Sequence, residues 1–330
     1  MRAAAITCIP NGRRWEHYNI FKLIPAIKGI LYMNFIGELA ALATAVFFAI
    51  TALIFTSTGR LVGSLVTNRM RLLFALAYLI VLNLIAFHEP LPFSADSSRW
   101  LWLSVSGIIG LSLGDAFLFQ SMVSVGARLG SLLLSLAPIF GSIIAWVFFG
   151  ETLTFWQITG IILALAGIAW VVASHEEPPD TPHGNTRRGV IFGILAGLGQ
   201  AVGIVLSKQG MSGNFSPFQA NTIRMLAAGL FIWVWTAFRG EAGSTFRELR
   251  GKPRVLGLLA LGAFIGPVLG VSSSLLAIQH VELGIASTLI ALTPVIILPI
   301  SYFGFREKVG WQAIVGTLLA IAGVAILFLA

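Results

Sequence analysis

Apolar residues run continuously for long stretches of this chain and are then interrupted by short polar segments. Ten such stretches lie near 36–56, 64–87, 100–122, 127–148, 155–174, 189–208, 217–238, 255–279, 283–303 and 310–329. Each is close to the roughly 20 residues that a helix needs to cross the hydrocarbon core of a bilayer. The runs are continuous rather than alternating, so they read as helices and not as strands of a lipid-embedded barrel. Gly, Pro and Ser inside them weaken a soluble helix but are common in membrane helices, where small residues let backbones approach closely. The pattern predicts an all-α integral membrane protein with ten transmembrane helices.

The stretches fall into two groups of five, separated by the Pro-rich, charged segment HEEPPDTPHGNTRR at 175–188. At an offset of 156, residues 131–170 align with 287–326, with 14 of 40 positions identical. Pro138 pairs with Pro294, Glu151 with Glu307, Gly160 with Gly316 and Gly167 with Gly323. The same offset carries Gly110 and Gly114 onto Gly266 and Gly270, and at a slightly different offset Asn68 and Arg71 match Asn221 and Arg224. An odd number of spans per half points equivalent helices in opposite directions, so the halves are inverted repeats, an arrangement typical of transporters. The expected organisation is a basic leader (1–35), a first repeat (36–174), a linker (175–188) and a second repeat (189–330). Met33 directly precedes the first apolar run and is the expected true start.

Composition agrees with this pattern. Of the 330 residues 57% are hydrophobic and 10% charged, against about 25% charged in a soluble domain. The net charge of +8 lies mostly between the apolar runs, where Lys and Arg anchor loops at headgroups rather than contact nucleic acid. With one cysteine, Cys8, no intramolecular disulfide and no Cys-rich zinc or iron–sulfur site can be built. No cofactor or metal site is expected.

The fourth and fifth helices of each half carry a Pro in a small-residue helix, then FGETLT or FGFREKVG, then a helix containing Gly160 or Gly316 and ending Ala-Gly-Ile or Ala-Gly-Val. In these motifs the chain resembles the drug/metabolite transporter superfamily, in its ten-helix form with two EamA domains. The resemblance implies transport of small polar metabolites, often export of amino acids, without ATP hydrolysis, in a bacterial plasma membrane. It also implies cytoplasmic termini. The distribution of Lys and Arg argues the reverse for a chain starting at Met33, because only Arg99 and Lys208 would then lie inside. The membrane-embedded Glu of the four-helix relatives has no counterpart, since Glu38 lies too near its helix end.

Asp115 is the acid placed well inside a helix, which makes it a candidate for substrate or proton binding, with pairing to an Arg as the structural alternative. Arg224 stands alone among apolar neighbours; facing a cavity, its planar fork would suit a carboxylate. Arg71, next to Arg69, reads more simply as a side chain snorkelling to the interface. Gln120, Gln200, Ser272 and Ser273 are further polar candidates, or interhelical glue. Pro138, Pro294, Gly110, Gly114, Gly266 and Gly270 are hinge or packing candidates. A lipid-carrier flippase of the same fold is the alternative function. A membrane enzyme is disfavoured: there is no H-E-x-x-H, no P-loop, and no second intramembrane aspartate to join Asp115. The partners expected are a small-molecule substrate, a coupling proton as an open question, and the lipid bilayer.

Overall fold

The computed structural model describes residues 35–149, 154–173, 186–213, 215–281, 283–305 and 310–329. The leader to residue 34, with the expected start at Met33, and most of the linker lie outside the described residues. Gly37–Ala330 form one compact unit.

Every regular element among the described residues is helical. In the first repeat α1 (Ile36–Val62) and α2 (Ser64–Phe87) are joined through Gly63 alone. The third span consists of α3 (Ser97–Ser106), a π-helical segment Gly107–Gly114 and the first half of α4 (Asp115–Leu134). Within α4, Gly126 has φ 85°, a conformation that glycine adopts without steric cost. There the third span ends and the fourth begins. α5 (Ala137–Phe149) completes the fourth span and α6 (Phe155–Ala173) is the fifth.

The second repeat follows the same plan. It contains α7 (Thr186–Gly210), α8 (Pro217–Phe238), a short helix α9 (Ala242–Leu249), and then α10 (Pro253–Ala263), the π-helical segment Phe264–Gly270 and α11 (Val271–His280) as one span. α12 (Leu283–Ile290), α13 (Thr293–Phe305) and α14 (Trp311–Leu329) close the bundle. α7 starts at Thr186, inside the expected linker. The sequence pattern showed neither α9 nor the π-helical segments, because a widened turn keeps the same apolar composition.

The two interruptions of the fourth span coincide under the repeat. Turn residues Ser135–Leu136 separate α4 from α5, and Ala291–Leu292 separate α12 from α13. Pro138 and Pro294 each follow at the second position of the new helix, where a missing N–H breaks no intrahelical bond. Both fourth spans are therefore discontinuous helices, the design that carries ligand sites in inverted-repeat carriers.

Burial is inverted relative to a soluble protein. Leu39, Ile85, Phe155 and Phe238 are exposed on the outside, whereas Asn68, Arg71, Asp115, Asn221 and Arg224 are buried. Such an outer surface fits lipid. Trp156, Trp170 and Trp311 are also exposed near helix ends, as an interfacial belt requires.

Packing between the repeats obeys the pseudo-symmetry. α6 and α14 cross through glycines: a Cβ on Gly167 would lie 2.5 Å from the backbone nitrogen of Ala320, and one on Gly323 would strike that of Ala164. Since 164 and 320 are themselves repeat mates, residue and partner exchange roles, as at a two-fold interface. α7 packs against the third span through Gly199 on Gly114 and Gly203 on Gly110.

Candidate functional site

A cavity of about 970 Å³ lies between the repeats, at the upper end of the volumes that hold small molecules. Lys208, Gln209, Ser212 and Gln279 line its mouth, at the end of the bundle where α7 and α11 finish. Phe48, Thr51 and Phe55 of α1 form one wall; Pro138, Gly141 and Ser142 of α5 form another. Toward the opposite end the cavity closes on Phe55 and Phe119, whose ring centroids are 5.1 Å apart, and on Met122.

Its charged floor is built by the π-helical segments and the helices beside them. A π turn displaces backbone carbonyls from regular helical bonding, and buried carbonyls need donors. Arg71 Nη2 donates to the Leu111 carbonyl at 2.8 Å, and Asn68 Nδ2 donates to that of Ser112 at 3.0 Å. Arg71 Nε donates to Asn68 Oδ1 at 2.9 Å. In the second repeat Asn221 Nδ2 donates to the Pro267 carbonyl at 2.8 Å and to Ser272 Oγ at 3.0 Å. The repeated asparagine is thus a polar clamp on each π-helical segment, joined in the first repeat by Arg71.

Asp115 occupies the cavity side of the first clamp. One of its carboxylate oxygens forms an ion pair with Arg71 Nη2, and the other accepts from Gln200 Nε2 at 2.7 Å. The Arg71 guanidinium also lies over the Phe119 ring, 5.0 Å from its centroid. Arg71 therefore does not snorkel. It is 3% exposed because α2 starts at Ser64 and places it two turns inside. The signals that could have revealed this were its match with Arg224 and the presence of one intramembrane acid needing a counter-charge.

Arg224 is also 3% exposed and lines the cavity. Its backbone packs against Gly107, where a Cβ would overlap the Arg224 carbonyl, and its Nη2 points toward Gly110. Its Nε is buried without an acceptor, and among the described residues no side chain or carbonyl bonds its guanidinium. The floor thus holds two cations and one anion within a largely apolar bundle.

Of the other candidates, Gln200, Pro138 and Gly266 line the cavity with Asp115 and Arg224. Gln120, Ser272, Ser273, Pro294, Gly110, Gly114 and Gly270 do not. Gln120 accepts from Ser64 Oγ at 2.6 Å and donates to Ser124 near the closed end, so it joins helices. Gly110 and Gly114 seat α7, while Gly270 packs on Phe48. Beyond the closed end, Arg69 Nη1 and Nη2 reach Thr245 Oγ1 at 2.9 Å and Glu241 Oε2 at 2.5 Å, and Arg239 Nε meets Glu241 Oε1 at 2.9 Å. The bonds from Arg69, and then those from Arg239, hold the Glu241 carboxyl below the usual carboxylate range.

Comparison with known proteins agrees with this architecture. A solved crystal structure superposes with a TM-score of 0.58 at 18% identity, covering 89% of this chain and 96% of the other, which establishes a shared fold. A probable terminal-alkyne amino-acid exporter of Streptantibioticus cattleyicolor is 35% identical over 72 residues, covering 22% of this chain and 24% of that protein. A probable 4-amino-4-deoxy-L-arabinose-phosphoundecaprenol flippase subunit of Pseudomonas fluorescens is 34% identical over 91 residues, covering 28% of this chain and 75% of the subunit. The model of the EamA-like transporter family matches residues 35–173 and again 187–329, one match per five-helix repeat. With both repeats matched and the bundle all-helical, the chain belongs to the EamA-like transporter family and is a multi-pass membrane protein.

Proposed function

We propose that the protein is a secondary transporter that exports small polar metabolites, amino acids among them, across a bacterial plasma membrane. It works without ATP, by alternating access of the two repeats. The observation that carries this reading is Arg224, a buried cation that lines the cavity with no protein acceptor. An unpaired charge at this depth is costly, and a planar guanidinium offers two parallel donors to a carboxylate. The cavity volume leaves room for the rest of an amino acid. Asp115 and Gln200 lie on the same floor, and the proton question attaches to Asp115.

The test is flux of an amino-acid and organic-acid panel from proteoliposomes, with and without a pH gradient. Carboxylate-bearing compounds are expected to move, and Arg224→Gln is expected to cut their flux at least about tenfold while leaving the protein monodisperse. Unchanged flux in that variant would make Arg224 a structural anchor. If no soluble compound moves through folded protein, the lipid-carrier flippase reading takes its place, which the flippase-subunit relative favours.

Orientation is part of the same reading. Arg60, Arg187, Arg188, Arg239, Arg247, Arg250, Lys252 and Arg254 lie at the closed end, and Arg99 and Lys208 at the mouth. The positive-inside rule then puts the closed end in the cytoplasm and opens the cavity outward. Single cysteines at Gly251 and Ser212, in a chain with Cys8 replaced, test this on intact cells with a membrane-impermeant maleimide. Labelling confined to position 212 is expected; labelling confined to 251 reverses the assignment.

A further inference from the structure

The closed end carries a second concavity that the transport pathway does not use. α9 packs on the bundle through buried Thr245 and Leu249, one turn apart, and turns Phe246, Arg247 and Arg250 outward. Between α9, α10 and α2 lies a crevice of about 540 Å³. Its floor is apolar: Met70, Leu249 and Leu256, with Phe246 beside them, the Phe246 ring 5.6 Å from Trp233 and tilted by 30°. Its rim carries Arg247 and Arg250, which are exposed and whose guanidinium groups, among the described residues, bond no acid or carbonyl. Glu248, the nearest acid on α9, reaches instead to Lys252 at 3.9 Å, and Lys252 also caps the Leu61 carbonyl at 3.2 Å.

The position of the crevice defines its depth. α8 ends at Phe238, which is 85% exposed, and the next span begins at Pro253. α9 therefore sits between two span ends, at the level of the membrane–water boundary, with its buried face on the bundle and its basic residues within reach of headgroups. Two unpaired guanidinium groups above an apolar floor match a ligand with an anionic phosphate at one end and hydrocarbon at the other. A soluble phosphate would use the rim and leave the floor wet.

We infer that the crevice formed by α9, α10 and α2 is a binding site for an anionic phospholipid, with its phosphate held between Arg247 and Arg250 and the upper part of an acyl chain on Met70, Leu249 and Leu256. The lipid would brace α9 against α2 at the place where Arg69 already ties α2 to Glu241 and Thr245. This assignment is independent of the transported substrate.

Native mass spectrometry of the full-length protein, delipidated in detergent and titrated with phosphatidylglycerol or phosphatidylcholine, tests it. One phosphatidylglycerol is expected to be retained at least about fivefold better than phosphatidylcholine, as two charge-assisted contacts predict. R247Q/R250Q should abolish that preference. R60Q/R254Q, with the same loss of charge outside the crevice, should keep it. Equal retention of the two lipids, equal loss in both double variants, or retention unaltered in R247Q/R250Q would each overturn the site. Displacement of the lipid by millimolar glycerol phosphate would overturn it too, by identifying a soluble phosphate as the ligand.

Discussion

The two repeats share one skeleton and differ at one charge on the cavity floor. Each has an Asn-x-x-Arg pair in its second helix, with the Asn clamped on a π-helical third span, and a fourth span broken just before a proline. At the position where the first repeat has Asp115, however, the second has Val271. The first arginine is consequently ion-paired inside the protein, whereas the second feels the same carboxylate without bonding to it. Shared scaffolding supplies the cavity and the helix breaks beside it, while Asp115, the acid on the floor, decides which of the two arginines is ion-paired.

The strongest way to break the comparison is Asp115→Asn. It leaves Arg71 as well as Arg224 without a counter-ion, and loss of one partner from a buried pair costs about 3–5 kcal/mol. A large fall in Tm together with loss of flux is expected in thermal unfolding and liposome assays. Val271→Asp removes the asymmetry from the other side by offering Arg224 an internal anion. Flux of carboxylates should drop about tenfold or more, the scale of one lost charge-assisted contact, with the fold retained. Normal flux would show that Arg224 is not short of an anion.

The symmetric parts should respond symmetrically. Gly167→Val and Gly323→Val each force a side chain into the other repeat's backbone, and overpacking of this kind costs about 1–3 kcal/mol. The two variants should lower Tm by similar amounts, and a marked difference would mean that the α6–α14 crossing is not two-fold in energy. The smallest expected effect concerns Glu241. Its carboxyl is held below the ordinary value near 4.3 by Arg69 and Arg239, so the anion that joins them persists at neutral and mildly acidic pH and is lost as pH falls through the lowered value. The mobility of a spin label placed at the closed end should be flat between about pH 7.5 and 5.5 and rise only in stronger acid. Glu241→Gln should show the raised mobility throughout.

Most of this fold was legible because its strongest signal is hydropathy, and because the repeat is preserved where the helices cross most closely, at Gly160, Gly167 and their mates. The site was legible in part. Asp115, Arg224 and Gln200 stood out as polar groups in apolar surroundings, and the structure brings all three to the cavity. Arg71 was misread because its partner is 44 residues away on another helix, and a local pattern contains no record of such a pair. Ser272 and Ser273 sit on the right helix but outside the cavity lining, since composition does not reveal how a π turn rotates the residues after it. The break at Ser135–Leu136 was signalled only by Pro138 three residues from its start.

The glycine crossing of α6 and α14 also sets an order in time. Gly167 is synthesised 156 residues before Gly323, which at about 5–20 residues per second is an interval of roughly 8–30 s. Throughout that interval the first half holds in the bilayer a self-complementary face whose intended partner does not yet exist. A neighbouring nascent chain at the same stage presents the same face, so how closely ribosomes are spaced on the message governs how often two first halves pair with each other before their own second halves arrive.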